Sequence, residues 1–162
     1  PCPLAGRKPE DIDFWVVREN NEGEYSEIGG RLYQGTDHEM AMQQSVFTQF
    51  GTDRVLRFAF ELAMKRRKHL TSCTKSNGIS ITMPYWDERF AAMAKNYPGV
   101  RTDQYHVDGL TIQMVLNPDR FDVIVASRHQ QGPLIEALTT APGWHLVYGD
   151  AEGVIYARRP LG

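Results

Sequence analysis

Cysteine is nearly absent from this 162-residue chain: Cys2 and Cys73 are the only two. Two thiols can build neither a secreted disulfide framework nor a four-cysteine zinc site, and the expected compartment is the reducing cytoplasm. Long apolar runs are also missing. None reaches the ~18 residues of a membrane span, so no membrane association is expected. Charge of one sign is not in excess. Eighteen Lys and Arg against 20 Asp and Glu leave a net charge of −2, and no global field argues for a nucleic-acid partner. There is no repeat and no low-complexity tract. The chain opens Pro1-Cys2-Pro3-Leu4, without an initiator Met or a basic-then-apolar leader, and reads as a fragment rather than a secreted protein.

What is present is ordinary globular material, 41% apolar and 23% charged. Asp13 to Val17 is a short apolar run that reads as a buried strand. A second strand is expected around Tyr25 to Ile28, stopped by Gly29-Gly30. Residues 31–50 read as an extended arm, with Val46 to Phe50 as a candidate strand. Thr52 to Arg67 is the clearest helix. Thr52 is placed to cap it, and Val55, Ala59 and Leu62 with Leu56, Phe60 and Ala63 form two adjacent apolar stripes. Leu70 to Thr74 should be a strand. Thr82 to Asn96 should be a helix with Pro84 in its first turn and Trp86, Phe90, Met93 and Tyr97 on its inner side. Gln104 to Val107 reads as a strand, Asp108 to Leu116 as a short helix and Phe121 to Ala126 as a strand. Alternating strands and helices predict an α/β domain. From Ser127 the pattern changes to a short helix, Pro133 to Thr140. A hairpin of Trp144 to Tyr148 and Val154 to Ala157 follows, around residues 149–153.

Four segments combine chemistry-bearing residues with predicted strand ends: Val17-Arg18-Glu19-Asn20 through Glu24-Tyr25-Ser26, Thr74-Lys75-Ser76-Asn77, Tyr105-His106-Val107-Asp108, and Asn117 to Val125. Open α/β sheets bind ligands at the carboxyl ends of their strands. Together these segments offer a cationic carboxylate clamp, a phenol acid, an amine base and a ligand for a hard metal, the parts needed to oxidise a hydroxy acid. Each residue also has a plainer reading. Arg18 can be an ion-paired surface arginine, Tyr25 half-buried strand filler and Lys75 an exposed strand-end lysine. Asp108 is well placed as a helix N-cap. His106 lies close to Asp108 in sequence, but a shared metal is not expected. Lys65 to His69 fits a solvated helix end better than a nucleic-acid patch. Gly29-Gly30 is too little for a dinucleotide fingerprint.

Order and spacing add what single residues do not. The run from Asp11 to Asn20, continuing Glu22-Gly23-Glu24-Tyr25-Ser26, resembles the isocitrate/isopropylmalate dehydrogenase family. Thr74-Lys75-Ser76-Asn77-Gly78-Ile79-Ser80 and Met83-Pro84-Tyr85-Trp86-Asp87-Glu88-Arg89 resemble most its tartrate/D-malate dehydrogenase branch. Tyr105 to Asp108 and Asn117 to Val125 continue in step, so the resemblance covers residues 1–127. It implies the smaller, dimer-forming domain of that fold, with a mixed sheet and flanking helices, followed by a tail at 128–162 outside the pattern. It implies oxidation and decarboxylation of tartrate, D-malate or a related hydroxy diacid, with NAD and Mg²⁺ or Mn²⁺. By the same resemblance Arg18 binds a substrate carboxylate, Tyr25 protonates the enolate and Lys75 takes part in removing the hydroxyl proton. Asn77 contacts the nicotinamide side of the cofactor and Asp108 ligates the metal. Lys75, Asn77 and Asp108 serve the neighbouring subunit's site, and a homodimer forms through residues 31–50 and the following helices. The segment Arg128-His129-Gln130-Gln131-Gly132-Pro133 lacks the acidic pair the family carries there, and the family's adenosine loop is missing. The alternative reading is an inactive dimerisation module or a chimeric, truncated product.

Overall fold

The computed structural model describes residue 6 and residues 8–126, 144–150 and 153–158. The chain divides into two units, residues 1–127 and 128–162. In the first unit the elements run β1 (Trp15–Arg18), β2 (Gly23–Leu32), β3 (Met40–Val46), α1 (Gln49–Lys65), β4 (His69–Thr74), α2 (Thr82–Ala94), β5 (Arg101–His106), α3 (Val107–Leu116) and β6 (Val123–Ala126). In the second, β7 (Trp144–Asp150) and β8 (Gly153–Arg158) pair antiparallel. The helix expected at Pro133 to Thr140 lies outside the described residues.

Strands β1, β6, β4 and β5 form one sheet in that order, and every pairing in it is parallel. The antiparallel pairing of this unit sits in a separate ladder, β2 with β3. Alternation along the strands divides the core in two. Val17, Leu70, Val123 and Val125 meet α1 and α2 through Leu56, Phe60, Ala63, Trp86, Phe90 and Met93. Cys73 and Ile124 instead gather with Leu110 of α3 and with Phe121. The result is a helix–sheet–helix sandwich of the expected α/β class. Among the described residues no helix is long and apolar enough to cross a membrane.

Several boundaries differ from expectation, each for a local reason. Helix α1 begins at Gln49, and its cap is Thr48, whose hydroxyl accepts from the Gly51 backbone N–H at 3.0 Å. Thr52 is buried within the helix and does not cap it. Accordingly Val46 ends β3, and Gln49 and Phe50 are helical rather than extended. Strand β2 does not stop at Gly29-Gly30 but runs on to Leu32. Gly29 is required there by close approach: a Cβ would fall 2.0 Å from the Met42 carbonyl oxygen. The basic run after α1 is not simply solvated. The buried Asp122 carboxylate draws Arg66 Nε to 2.8 Å and the Arg67 backbone N–H to 2.7 Å, and Arg66 Nη2 also reaches Asp13 at 2.9 Å. His69 is buried, with its ring nitrogens 3.2 Å from Asp103 and 3.1 Å from Arg101. A buried carboxylate without partners costs several kcal/mol, and that cost turns the cations inward.

Candidate functional site

Because the four sheet strands are parallel, their carboxyl ends share one edge, and four of the five candidate residues, all but Tyr25, lie at it or just beyond it. Arg18 ends β1, opposite Ala126 at the end of β6. Its Nη2 donates to Asn20 Oδ1 at 2.5 Å. The loop beyond is held by two acids. Glu19 is fully buried; its Oε1 accepts the Asn21 and Glu22 backbone N–H groups at 2.7 and 3.1 Å, and its Oε2 lies 3.5 Å from Arg54 of α1. Glu22 accepts the Thr48 backbone N–H at 2.8 Å and the Thr48 hydroxyl at 2.6 Å. The turn after Arg18 is therefore tied to the start of α1. Tyr25 lies on the β2–β3 ladder with 44% of its surface exposed.

Lys75 follows β4 directly and Asp108 lies two residues beyond β5. Cα pairing of Thr74 with His106 brings the two strand ends level, and Lys75 Nζ donates to Asp108 Oδ2 in an ion pair. That hydrogen bond, followed by the attraction of the Lys75 charge and a hydrogen bond from Asn77, holds the Asp108 carboxyl below the usual carboxylate range. Asp108 is not the cap of α3. The cap position belongs to His106, without a side-chain cap bond, and Asp108 sits in the first turn, where the helix dipole favours an anion. The structure thus brings Lys75, Asn77 and Asp108 into one cluster. Arg18 lies on β1, separated from β4 by β6 and hence by roughly 10 Å across the sheet. Tyr25 belongs to the other ladder.

A polar group without an expected role supports this cluster from behind. Asp87 of α2 accepts the Thr74 hydroxyl, 3.1 Å from Oδ1 and 3.4 Å from Oδ2, and Gln104 Nε2 of β5 lies 3.3 Å from Oδ1. Ser76 Oγ is 3.3 Å from Thr74 Oγ1. Beside it, Trp86 Nε1 donates to Ser72 Oγ at 3.2 Å. The signal available in the sequence was position alone: Asp87 follows Trp86, a residue of the inner stripe of α2.

The donor set does not complete a metal site. Among the described residues no three His, Cys, Asp or Glu side chains converge. Asp108 and Asn77 supply oxygens at one spot, whereas a hard divalent cation takes about six oxygen ligands. For a dinucleotide, Asn77 offers an exposed amide beside the ion pair, and no glycine-rich phosphate turn accompanies it.

Residues 1–130 match the family model for isocitrate/isopropylmalate dehydrogenase. Over 128 residues the chain is 64% identical to the D-malate dehydrogenase [decarboxylating] of Escherichia coli K12, covering 78% of this chain and 36% of that protein. Over 142 residues it is 54% identical to the tartrate dehydrogenase/decarboxylase of Pseudomonas putida, covering 87% of this chain and 39% of that one. The chain thus spans somewhat over a third of the length of these relatives. Its fold is similar to that of a crystal structure of isocitrate dehydrogenase from Methylococcus capsulatus, with a TM-score of 0.64 at 33% identity over 73% of this chain and 39% of that one. With the family pattern matched over most of its residues and the α/β sandwich in place, this chain belongs to the isocitrate/isopropylmalate dehydrogenase family.

Proposed function

We propose that this chain is part of a cytoplasmic, NAD-dependent, divalent-metal-assisted dehydrogenase that oxidises and decarboxylates D-malate, tartrate or a related 2-hydroxy diacid. The observation that carries the reading is the Lys75–Asn77–Asp108 cluster at the carboxyl edge of the sheet, in a chain 64% identical to a D-malate dehydrogenase. In this reading Arg18 grips a substrate carboxylate through its guanidinium, a geometry that suits bidentate binding. Lys75, once it gives up its proton, accepts the proton of the substrate hydroxyl, and Asp108 keeps the amine aimed; Asp108 would be one of the residues to hold Mg²⁺ or Mn²⁺. Bound NAD would supply the hydride acceptor for the substrate carbon. Asn77 orients the nicotinamide side of the cofactor. Tyr25 returns a proton to the enolate left by decarboxylation.

Lys75, Asn77 and Asp108 act in the neighbouring subunit's site, so the working unit is a homodimer. Two observations support this. Lys75 and Asp108 lie apart from the strand that carries Arg18. Ile28, Leu32, Met40 and Met42 of the β2–β3 ladder and Ile112, Val115 and Leu116 of α3 are exposed apolar side chains of the kind that subunit contacts bury.

A second reading is favoured by the incomplete donor set. By itself this chain is a dimerisation module without turnover, since among the described residues only Asp108 is offered as metal ligand and only Asn77 as cofactor contact. One experiment separates the readings. The purified chain is assayed with NAD⁺, Mn²⁺ and D-malate or tartrate beside a chimera in which residues 1–126 replace the matching segment of the E. coli D-malate dehydrogenase. The chain alone should form no NADH. The chimera should turn over, and Lys75→Ala in it should lower kcat by about 10²-fold or more. A folded, dimeric chimera inert toward every diacid would overturn the dehydrogenase reading. Turnover by the chain alone, abolished by Lys75→Ala, would overturn the second.

A further inference from the structure

We propose that Asp87 is a positioning residue for the Lys75–Asp108 pair. Its carboxylate gathers the end of β4 and the end of β5 onto α2, so that the segments leaving those strands emerge at the separation the pair needs. The inference rests on the functional reading only for the claim that the pair does chemistry; the positioning itself is argued from geometry.

Successive strand residues face opposite sides of a sheet. Ser72 faces α2, where the Trp86 indole donates to it, while Cys73 faces α3. Thr74 therefore faces α2 again and meets Asp87, and Lys75, next in line, is directed toward α3 and meets Asp108. Holding Thr74 on one face thus sets the direction in which Lys75 leaves. Gln104 extends the same control to β5, whose last residue, His106, pairs with Thr74 and leads through Val107 to Asp108. Anchoring Thr74 restrains the backbone from which the Lys75 side chain leaves, and a misplacement of ~1 Å can cost on the order of 100-fold in rate. Burial alone does not require Asp87. Thr74 is 5% exposed, and valine would fill its volume. The hydroxyl and carboxylate together provide direction rather than packing.

The test uses the full chain and nuclear magnetic resonance at one fixed pH, with Thr74→Val, Thr74→Ser, Asp87→Ala and Asp87→Asn. The readout is the cross-peak between the Lys75 ε-methylene and the Asp108 β-methylene. The Trp86 indole signal and the Arg89–Asp53 contact, at 2.6 and 2.8 Å on the same helix pair, report that the fold persists. The cross-peak should be lost in T74V and D87A, and kept in T74S and D87N, which retain the hydroxyl donor and one acceptor oxygen. Its persistence in folded T74V overturns the proposal, as does its loss in T74V and T74S alike, which would assign the effect to packing. If D87A fails to fold, the isosteric T74V and the rescuing T74S still decide. An inert chimera in the assay above would remove the chemistry from the pair without altering these cross-peaks, so the two failures are distinguishable.

Discussion

Cys73 shows how a single residue's environment sets its chemistry. It is buried on β4 between α3 and Phe121, and burial, reinforced by the negative charges of Asp108 and Asp87, pushes its thiol pKa up to about 12. The thiolate is the reactive form. Native protein at pH 8 should therefore leave Cys73 unmodified by iodoacetamide over hours, while the unfolded chain reacts within minutes; peptide mass spectrometry separates it from Cys2. Rapid native labelling at position 73 would contradict the burial. The sign for stability follows. The folded state holds the thiol proton more tightly than the unfolded state, whose pKa is near 9. The contribution is fully present below pH 9 and is lost as pH rises from there toward 12. Nothing in the sequence around Cys73 distinguishes it from a reactive cysteine. Its inertness comes from Leu110, Phe121 and Ile124, which lie more than 35 positions away along the chain.

Helix α1 was legible as an element, though its start was not. Its two apolar stripes point into the core as the 3.6-residue period requires, and Val55, Leu56, Ala59, Phe60 and Ala63 are all buried. Two hydroxyl residues, Thr48 and Thr52, could have capped it, and local pattern does not choose between them. The choice falls to Glu22, 26 residues earlier, which binds the Thr48 backbone N–H and hydroxyl. Gly51 completes the arrangement, since a Cβ there would lie 2.3 to 2.5 Å from the Glu22 carboxylate. Gly to Ala inside a helix ordinarily gains about 0.5–1 kcal/mol. Here Gly51→Ala should displace Glu22 and forfeit two hydrogen bonds to a charged group, each worth about 1.5–3 kcal/mol. The net result should be a loss of roughly 2–5 kcal/mol in denaturant unfolding. In a Glu22→Ala background the sign should reverse. Equal effects in both backgrounds would show that Glu22 does not constrain the turn.

At the scale of the molecule, the β2–β3 ladder presents Ile28, Leu32, Met40 and Met42 on one side, because pairing of Leu32 with Met40 and Gly30 with Met42 aligns their alternation. A two-stranded ladder with an uncovered apolar face is marginal in water. If the homodimer reading holds, Leu32→Asp with Met42→Asp should shift the chain from dimer to monomer in sedimentation velocity, with the circular dichroism of the α/β sandwich unchanged. A wild-type chain that stays monomeric at 100 µM would count against a dimer built on this face.

The sequence by itself determined the alternation of strands and helices, the apolar faces of α1 and α2, the family, and the three positions that end or follow β1, β4 and β5. These follow from local periodicity and from motifs whose spacing survives intact in one dimension. Tertiary structure decided which of those positions meet. Lys75 and Asp108 lie 33 positions apart and become neighbours because β4 and β5 pair in register, while β6 enters between β1 and β4 and sets Arg18 at a distance. It also gave roles to Glu19, Glu22, Asp87 and Asp122, which the sequence offers only as acids. A carboxylate's effect depends on what it is buried against and which donors reach it. That is a property of packing between distant segments, and no local pattern carries it.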